Sequence, residues 1–245
     1  MTLEKEGIVP NSKEKFVQSI FSTVSKKYDC MNDLMSLGIH RIWKRKFIDK
    51  IPEYNIKLLD VAGGTGDIAY NFYKKALKHN AKPEITILDL NPEMLREGKK
   101  NLIDKNILNK FNFICANAQR LPFDDNSFDY YTISYGIRNV DDILQVLKEA
   151  RRVLKPGGKF LCLEFSKVKN ELFSKFYNIY SEHLIPLIGE KVTGSRESYE
   201  YLVDSIREFP SQQKFCQLIE EAGFKGVEFE NLSGGISAIH WGYKL

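Results

Sequence analysis

The chain has 245 residues, 43% hydrophobic and 28% charged, which excludes a disordered or fibrous polypeptide and suits one α/β domain with a sizeable core. A formal net charge of +4 is too small to favour nucleic acid as a partner, because phosphate binding shows as a large basic excess on one face. The opening residues lack the apolar core of a signal peptide, and no run approaches the ~20 apolar residues of a membrane span, so a cytoplasmic protein, at most peripheral to a membrane, is expected.

Phe16, Ile20, Val24 and Tyr28 recur every fourth residue beside Val17 and Phe21, drawing an apolar stripe along a predicted helix at 12–28. A second predicted helix covers 31–51, where His40, Arg41, Lys44, Arg45 and Lys46 surround Trp43, a mixture suited to an anionic membrane surface. After Pro52 and Asn55 short aliphatic runs alternate with amphipathic stretches. Strands are predicted at 58–61, 84–90, 111–116, 128–134 and 159–165, and helices at 67–78, 92–105 and 141–154. Pro92 suits a first helical turn, and Pro156, Gly157 and Gly158 stop the third of these helices. Past Phe165 the pattern turns helical and aromatic through Phe173, Phe176, Tyr177, Tyr180, Tyr199 and Tyr201. A helix at 211–222 follows, then strands at 227–232 and 236–243 joined tightly by Ser233, Gly234 and Gly235.

Strand and helix alternation makes a parallel, doubly wound sheet, and the closing hairpin adds an antiparallel pair. The expected fold is a Rossmann-like α/β domain: a mainly parallel seven-stranded sheet with an antiparallel C-terminal strand and helices on both faces. It divides into a helical lid at 1–52, a core at 53–165, a helical insertion on the substrate side at 166–210, and a final helix and strand pair at 211–245. Cys30, Cys115, Cys162 and Cys216 are too scattered for a zinc or redox motif and read as buried thiols in a reducing compartment. His40, His79, His183 and His240 lie equally far apart, so no metal is expected.

LLDVAGGTGD at 58–67 is a strand leading through a glycine-rich turn into a helix start, where backbone N–H groups and the positive helix end attract a polar ligand. Gly64, Gly66 and Ala69 satisfy the loose pattern G-x-G-x-x-A, which serves nicotinamide cofactors and S-adenosylmethionine alike. Asp60, at the end of the first strand, repels a pyrophosphate but balances the cationic amino-acid end of S-adenosylmethionine. Asp89 ends the second strand, where a carboxylate accepts hydrogen bonds from both ribose hydroxyls of either cofactor. Asn117 and Ala118 leave the third strand where an adenine edge would rest.

Together with RVLKPGGKF at 152–160, this ensemble resembles the class I methyltransferases. KYDCMNDLMSLGIHRIWKR at 27–45 is more particular. With ISYGIRNV at 133–140, LEFSK at 163–167, SIREFPSQ at 205–212 and HWGYKL at 240–245, it is similar to the UbiE family, the C-methyltransferases of ubiquinone and menaquinone biosynthesis, over nearly the whole chain. The resemblance implies S-adenosylmethionine as cofactor, with contacts at Thr65, Asp89, Asn117, Ala118 and Ser134, beside Gly64 of the glycine turn. It implies methyl transfer to a ring carbon of a polyprenylated hydroquinone, a 2-methoxy-6-polyprenyl-1,4-benzoquinol, a demethylmenaquinol or both. Ala62 stands where methyltransferases in general carry a first glycine; its small methyl is expected to admit the turn.

Carbon is a poor nucleophile until a ring hydroxyl loses its proton, so the site needs a base or a group that steadies the phenolate. Arg138 and Asn139, just past the fourth strand, lie at the carboxyl edge where such sheets bind ligands and are the leading candidates. Tyr28 and Asp33 are further candidates if the N-terminal helices cover the site, and the aromatic stretch at 172–188 offers an apolar wall for a prenyl tail. Another small-molecule methyltransferase, or a non-catalytic scaffold that binds the cofactor, remains the alternative. The sequence leaves open the ring, the tail length, the general base, and whether the chain acts as a homodimer or within a quinone-synthesis complex.

Overall fold

The computed structural model describes residues 38–168 and 196–245. The predicted helix at 12–28, the first part of that at 31–51, and the aromatic stretch at 172–188 lie outside these residues.

Helix α1 (His40–Asp49) precedes the sheet. Strand β1 (Lys57–Val61) leads into α2 (Asp67–Lys78), β2 (Glu84–Asp89) into α3 (Pro92–Ile103), and β3 (Phe111–Cys115) directly to β4 (Phe128–Ser134). Helix α4 (Ile143–Val153) then runs into β5 (Leu154–Phe165). Helices α5 (Arg196–Glu208) and α6 (Gln212–Glu221) precede the final strands β6 (Lys225–Leu232) and β7 (Ser237–Tyr243). The strand order is β3-β2-β1-β4-β5-β7-β6. Strands β1 to β5 are parallel, β7 runs antiparallel to β5, and β6 runs antiparallel to β7. Order therefore reverses between β1 and β4, where the crossovers leave in opposite directions and their loops splay apart into a crevice.

Both faces of the sheet are covered, which explains the near-continuous apolar runs of its central strands. Leu58 of β1 packs with Trp43, Phe47 and Phe72 on one face, whereas Leu59 and Val61 pack with Tyr131, Val146 and Phe215 on the other. Each such side chain contributes about 1.5–3 kcal/mol by leaving water. The period of two puts Asp60 on the same face as Leu58, inside this apolar layer.

The structure differs from expectation in three places that bear on function. Strand β5 starts at Leu154, ahead of the predicted 159, because Pro156 and Gly157 are absorbed into an irregular stretch paired across a register shift beside Phe128, where the missing proline N–H leaves no gap in the ladder. Trp43 is not a membrane anchor: it is 2% exposed, meets Phe165 edge-on at 6.4 Å and donates its indole N–H to Ser233 at 3.0 Å. Of the cysteines expected to be buried, Cys162 is, Cys216 is half-buried and Cys115 is exposed.

Candidate functional site

Four strand ends converge on one chamber. After β1 the chain turns through Ala62, Gly64 and Gly66, all with positive φ (50°, 52° and 81°), to reach the first turn of α2. Glycine takes such angles freely; alanine pays about 1–2 kcal/mol. Gly66 caps α2 without a side chain. Gly63 is bare for a reason: a Cβ there would come within 2.8 Å of Ile87 and 3.0 Å of the Asp60 carboxylate. The opposite wall, after β4, passes through Ser134, Tyr135 (φ 54°) and Gly136. A Cβ on Gly136 would lie 2.3 Å from that of Ala62, so the alanine methyl is accommodated because its neighbour across the crevice has none.

Asp89 closes the third side. Its Oδ2 accepts from the Gly64 N–H at 2.9 Å and its Oδ1 from the Asn91 N–H at 2.8 Å. Asn91 in turn caps α3, accepting from Glu93 and Met94 at 2.9 and 3.3 Å. The carboxylate is thereby fixed in rotamer while each oxygen keeps a lone pair for a ligand. Burial pushes its pKa up to about 6, against those backbone bonds. After β3, Ala116, Asn117 and Ala118 form the fourth side, with Asn117 Oδ1 accepting from Gln119 N–H at 2.9 Å in a local turn.

The chamber is lined by Gly64, Thr65, Asp89, Asn117, Ala118, Ser134 and Asn139 among the residues singled out from sequence. Two others stand behind the wall. Asp60 is 1% exposed; Thr132 donates to its Oδ1 at 2.8 Å, while Oδ2 makes no hydrogen bond of normal geometry among the described residues. Desolvation raises its pKa to about 7, only partly opposed by Thr132 and the Ala69 N–H. It can act on a ligand by charge across the bare Gly63, not by contact.

Arg138, expected as a base or a group that steadies the phenolate, is not among the residues that line the chamber. Its guanidinium donates to the Tyr135 carbonyl, to Glu164 Oε1 at 3.1 Å and to Ser205 Oγ at 3.2 Å, and both members of the ion pair are about as buried as side chains can be, at 2% and 1% exposure. Burial holds Glu164 above its usual carboxylate range despite that partner. Asn139, one residue on, does face the chamber, and the Tyr201 hydroxyl of α5 donates to its Oδ1 at 3.2 Å, leaving the amide NH₂ as a donor. Tyr28 and Asp33 lie outside the described residues.

Sequence reasoning missed Lys44 as part of this site. It is 6% exposed, lines the chamber and pairs with Asp67 of α2 at 2.8 Å. Its signal was its place one residue from the buried Trp43, on the inward face of α1. Conversely, Arg152 of RVLKPGGKF has no part in the chamber. It clamps the loop before β4 through the Leu121 and Phe123 carbonyls, Asp125 and Glu149.

The strand order, the glycine turn after β1 and the carboxylate ending β2 define a class I methyltransferase fold. Solved structures agree: the [4+2]-cyclase SpnF is similar with a TM-score of 0.67 at 16% identity, covering 96% of this chain and 97% of its own. A SAM-dependent methyltransferase from Aquifex aeolicus gives 0.63 at 16% identity over 91% and 98%. That one neighbour is a cyclase shows why the fold alone leaves the reaction open. The chain belongs to the ubiE/COQ5 methyltransferase family, whose profile matches residues 9–244. It is 56% identical over 238 residues to the ubiquinone/menaquinone biosynthesis C-methyltransferase UbiE of Rickettsia bellii, covering 97% of this chain and 96% of the relative. The UbiE protein of Rickettsia akari is 56% identical over 233 residues, covering 95% and 94%.

Proposed function

We propose that the protein is an S-adenosylmethionine-dependent C-methyltransferase that methylates a ring carbon of a polyprenylated hydroquinone in ubiquinone biosynthesis, menaquinone biosynthesis or both. The observation that carries this is the family match over 9–244 laid on a chamber whose Asp89, glycine turn and Asn139 converge at the β1/β4 crevice. The residues suit the cofactor. Asp89 would offer lone pairs to two ribose hydroxyls, Gly64 and Thr65 would meet the amino-acid end, Asn117 and Ala118 would hold the adenine, and Ser134 lines the same chamber. The buried, incompletely satisfied Asp60 supplies negative charge beneath the turn. A nicotinamide dinucleotide would instead bring its pyrophosphate over that carboxylate, which is unfavourable. When bound, the cofactor supplies an electrophilic methyl group.

The chain's own residues do the rest. Asn139, held by Tyr201, donates to a ring oxygen and steadies the negative charge that develops there as the hydroxyl passes its proton to solvent. Lys44 lines the same chamber together with Asp67, its partner at 2.8 Å, so the two enter it as an ion pair that adds no net charge. Arg138 serves from behind, where its bonds to Glu164, Tyr135 and Ser205 fix the turn that carries Asn139 and tie it to α5. Tyr28, from the N-terminal block, is proposed to complete the substrate side. The enzyme works at a membrane surface, since the tail of such a substrate does not leave lipid unaided; among the described residues no helix is long and apolar enough to cross a membrane.

Transfer of a radiolabelled methyl group to short-tailed benzoquinol and naphthoquinol acceptors tests the proposal, and absence of turnover with both would overturn it. Asp89→Ala is expected to weaken S-adenosylmethionine by about 1–3 kcal/mol, as two ribose hydroxyls lose their acceptor in a half-dry site. Calorimetry reads that change directly, and unchanged affinity would remove Asp89 from the ribose.

A further inference from the structure

Burying an ammonium is costly, yet Lys44 is only 6% exposed. Trp43 and Phe47 seat α1 in the core and so fix the rotation of the helix that turns Lys44 inward. Asp67, in the first turn of α2, receives the ammonium on Oδ2 at 2.8 Å, while the Asn71 amide donates to its Oδ1 at 2.7 Å. Both carboxylate oxygens are thus held in place, and each has a second lone pair for a ligand. Pinning α1 to α2 does not account for this placement. Lys75 and Asp49 already join the same two helices at 2.7 Å, at a more exposed position that takes no part in the chamber. Lys44 and Asp67 do line it, and Asp67 follows Thr65 of the glycine turn by two residues.

Among the described residues that line the chamber, Lys44 is the one cation, and Asp67 and Asp89 are the acidic side chains. Asp89 is oriented by the Gly64 and Asn91 N–H groups at the ribose position, which leaves the ion pair for another part of the ligand. Its chemistry selects that part. A fixed cation beside a fixed anion gains little from a single charge, but a group that carries both signs meets each with its opposite. A phenolate carries one sign; the amino-acid end of S-adenosylmethionine carries an ammonium and a carboxylate on the same carbon. The sulfonium makes the cofactor positive overall, and the buried Asp60 beneath the turn answers that charge, so the neutral pair is left to match the neutral zwitterion. We propose that Lys44 and Asp67 together recognise the amino-acid end of S-adenosylmethionine, Lys44 holding its α-carboxylate and Asp67 its α-ammonium. This rests on the cofactor placement proposed above and is independent of the methyl acceptor.

Titration calorimetry of the full chain with a series of truncated ligands tests each contact. The series is S-adenosylmethionine, S-adenosylhomocysteine, decarboxylated S-adenosylmethionine, which lacks the α-carboxylate, and 5′-methylthioadenosine, which lacks the whole amino-acid end. Lys44→Met keeps the length of the side chain and removes its charge. It is expected to bind the first two ligands about 10–100-fold more weakly, the size of one charge-assisted hydrogen bond, and the last two no worse than the parent does. Asp67→Asn is expected to weaken all three ligands that keep the α-ammonium by a similar factor and to spare 5′-methylthioadenosine. Because the Asp67 side chain is 38% exposed, this second variant carries the test if Lys44→Met folds poorly. Loss of 5′-methylthioadenosine in step with S-adenosylhomocysteine would mark the pair as a support for the wall and overturn the inference. So would an Asp67→Asn that binds S-adenosylhomocysteine as the parent does, or a Lys44→Met that weakens the decarboxylated ligand as much as S-adenosylmethionine. Parent protein that binds none of the series would instead overturn the cofactor placement on which the inference rests.

Discussion

Arg138→Ala is expected to destabilise the fold by about 3–5 kcal/mol, since it strands the carboxylate of Glu164 in an apolar interior and breaks the bonds to Tyr135 and Ser205. Against a total of roughly 5–15 kcal/mol for a domain, that removes a large share, and the denaturant midpoint should fall accordingly. The single variant therefore cannot separate chemistry from folding. Arg138→Met combined with Glu164→Leu comes closer, because it strands no charge, although the Tyr135 carbonyl, the Ser205 hydroxyl and the Phe165 N–H still lose their partners and about 1–3 kcal/mol of the loss is expected to persist. With the stranded charge removed, the double variant is expected to keep S-adenosylmethionine affinity and to hold kcat within about tenfold of the parent, since Asn139 stays on the chamber wall. A well-folded double variant with kcat down by roughly 10²-fold or more would show that the ion pair contributes more than a replaceable support for the turn that carries Asn139.

The contrast between Arg138 and Asn139 shows what a linear sequence can and cannot disclose. Their position was legible: both follow a strand end at the crevice, and alternation of strands and helices predicted that crevice with β4 at 128–134 and α2 at 67–78, as observed. Their orientation was not, because adjacent residues on a tight 3₁₀ turn face opposite ways and Glu164, 26 positions on, decides which is held inward. Lys44 lies between these cases: its place beside Trp43 marks the inward face of α1, but its pairing with Asp67 of α2 is a tertiary contact with no local signal. The substitution of Ala62 for glycine could be noted in sequence, but its partner, the missing Cβ of Gly136, is a contact across the sheet and has no local signal. Antiparallel pairing of β7 with β5 was foreseen only as a closing hairpin; its insertion between β5 and β6 follows from the sheet order.

Asp60→Asn is expected to stabilise the free protein and weaken the complex, a pairing that a purely structural residue would not give. Asp60 is buried beneath the glycine turn, and desolvation raises its pKa from 3.8 to about 7. Between those values the folded state retains a proton that the unfolded chain has released, so this group's contribution to stability falls as pH rises through the interval and reaches its full unfavourable size above pH 7. About three units at 1.36 kcal/mol each bound that penalty near 4 kcal/mol. The amide carries no charge while still accepting from Thr132, so the variant's advantage over the parent should be small at pH 4, grow through pH 5 and 6, and level off near pH 7. Thermal unfolding across that range reads it. Binding runs the other way: a cationic ligand above the turn favours the ionised carboxylate, so the parent should release a proton on taking up S-adenosylmethionine at pH 6, and its calorimetric heat should depend on the ionisation enthalpy of the buffer. In Asp60→Asn that dependence should shrink to whatever Asp89 contributes, and affinity should drop by about 10–100-fold, the size of one charge acting across a few ångströms of protein. A parent whose binding heat is the same in every buffer, or a variant that binds as tightly and gains no stability at pH 8, would show that Asp60 is ionised and satisfied before the cofactor arrives.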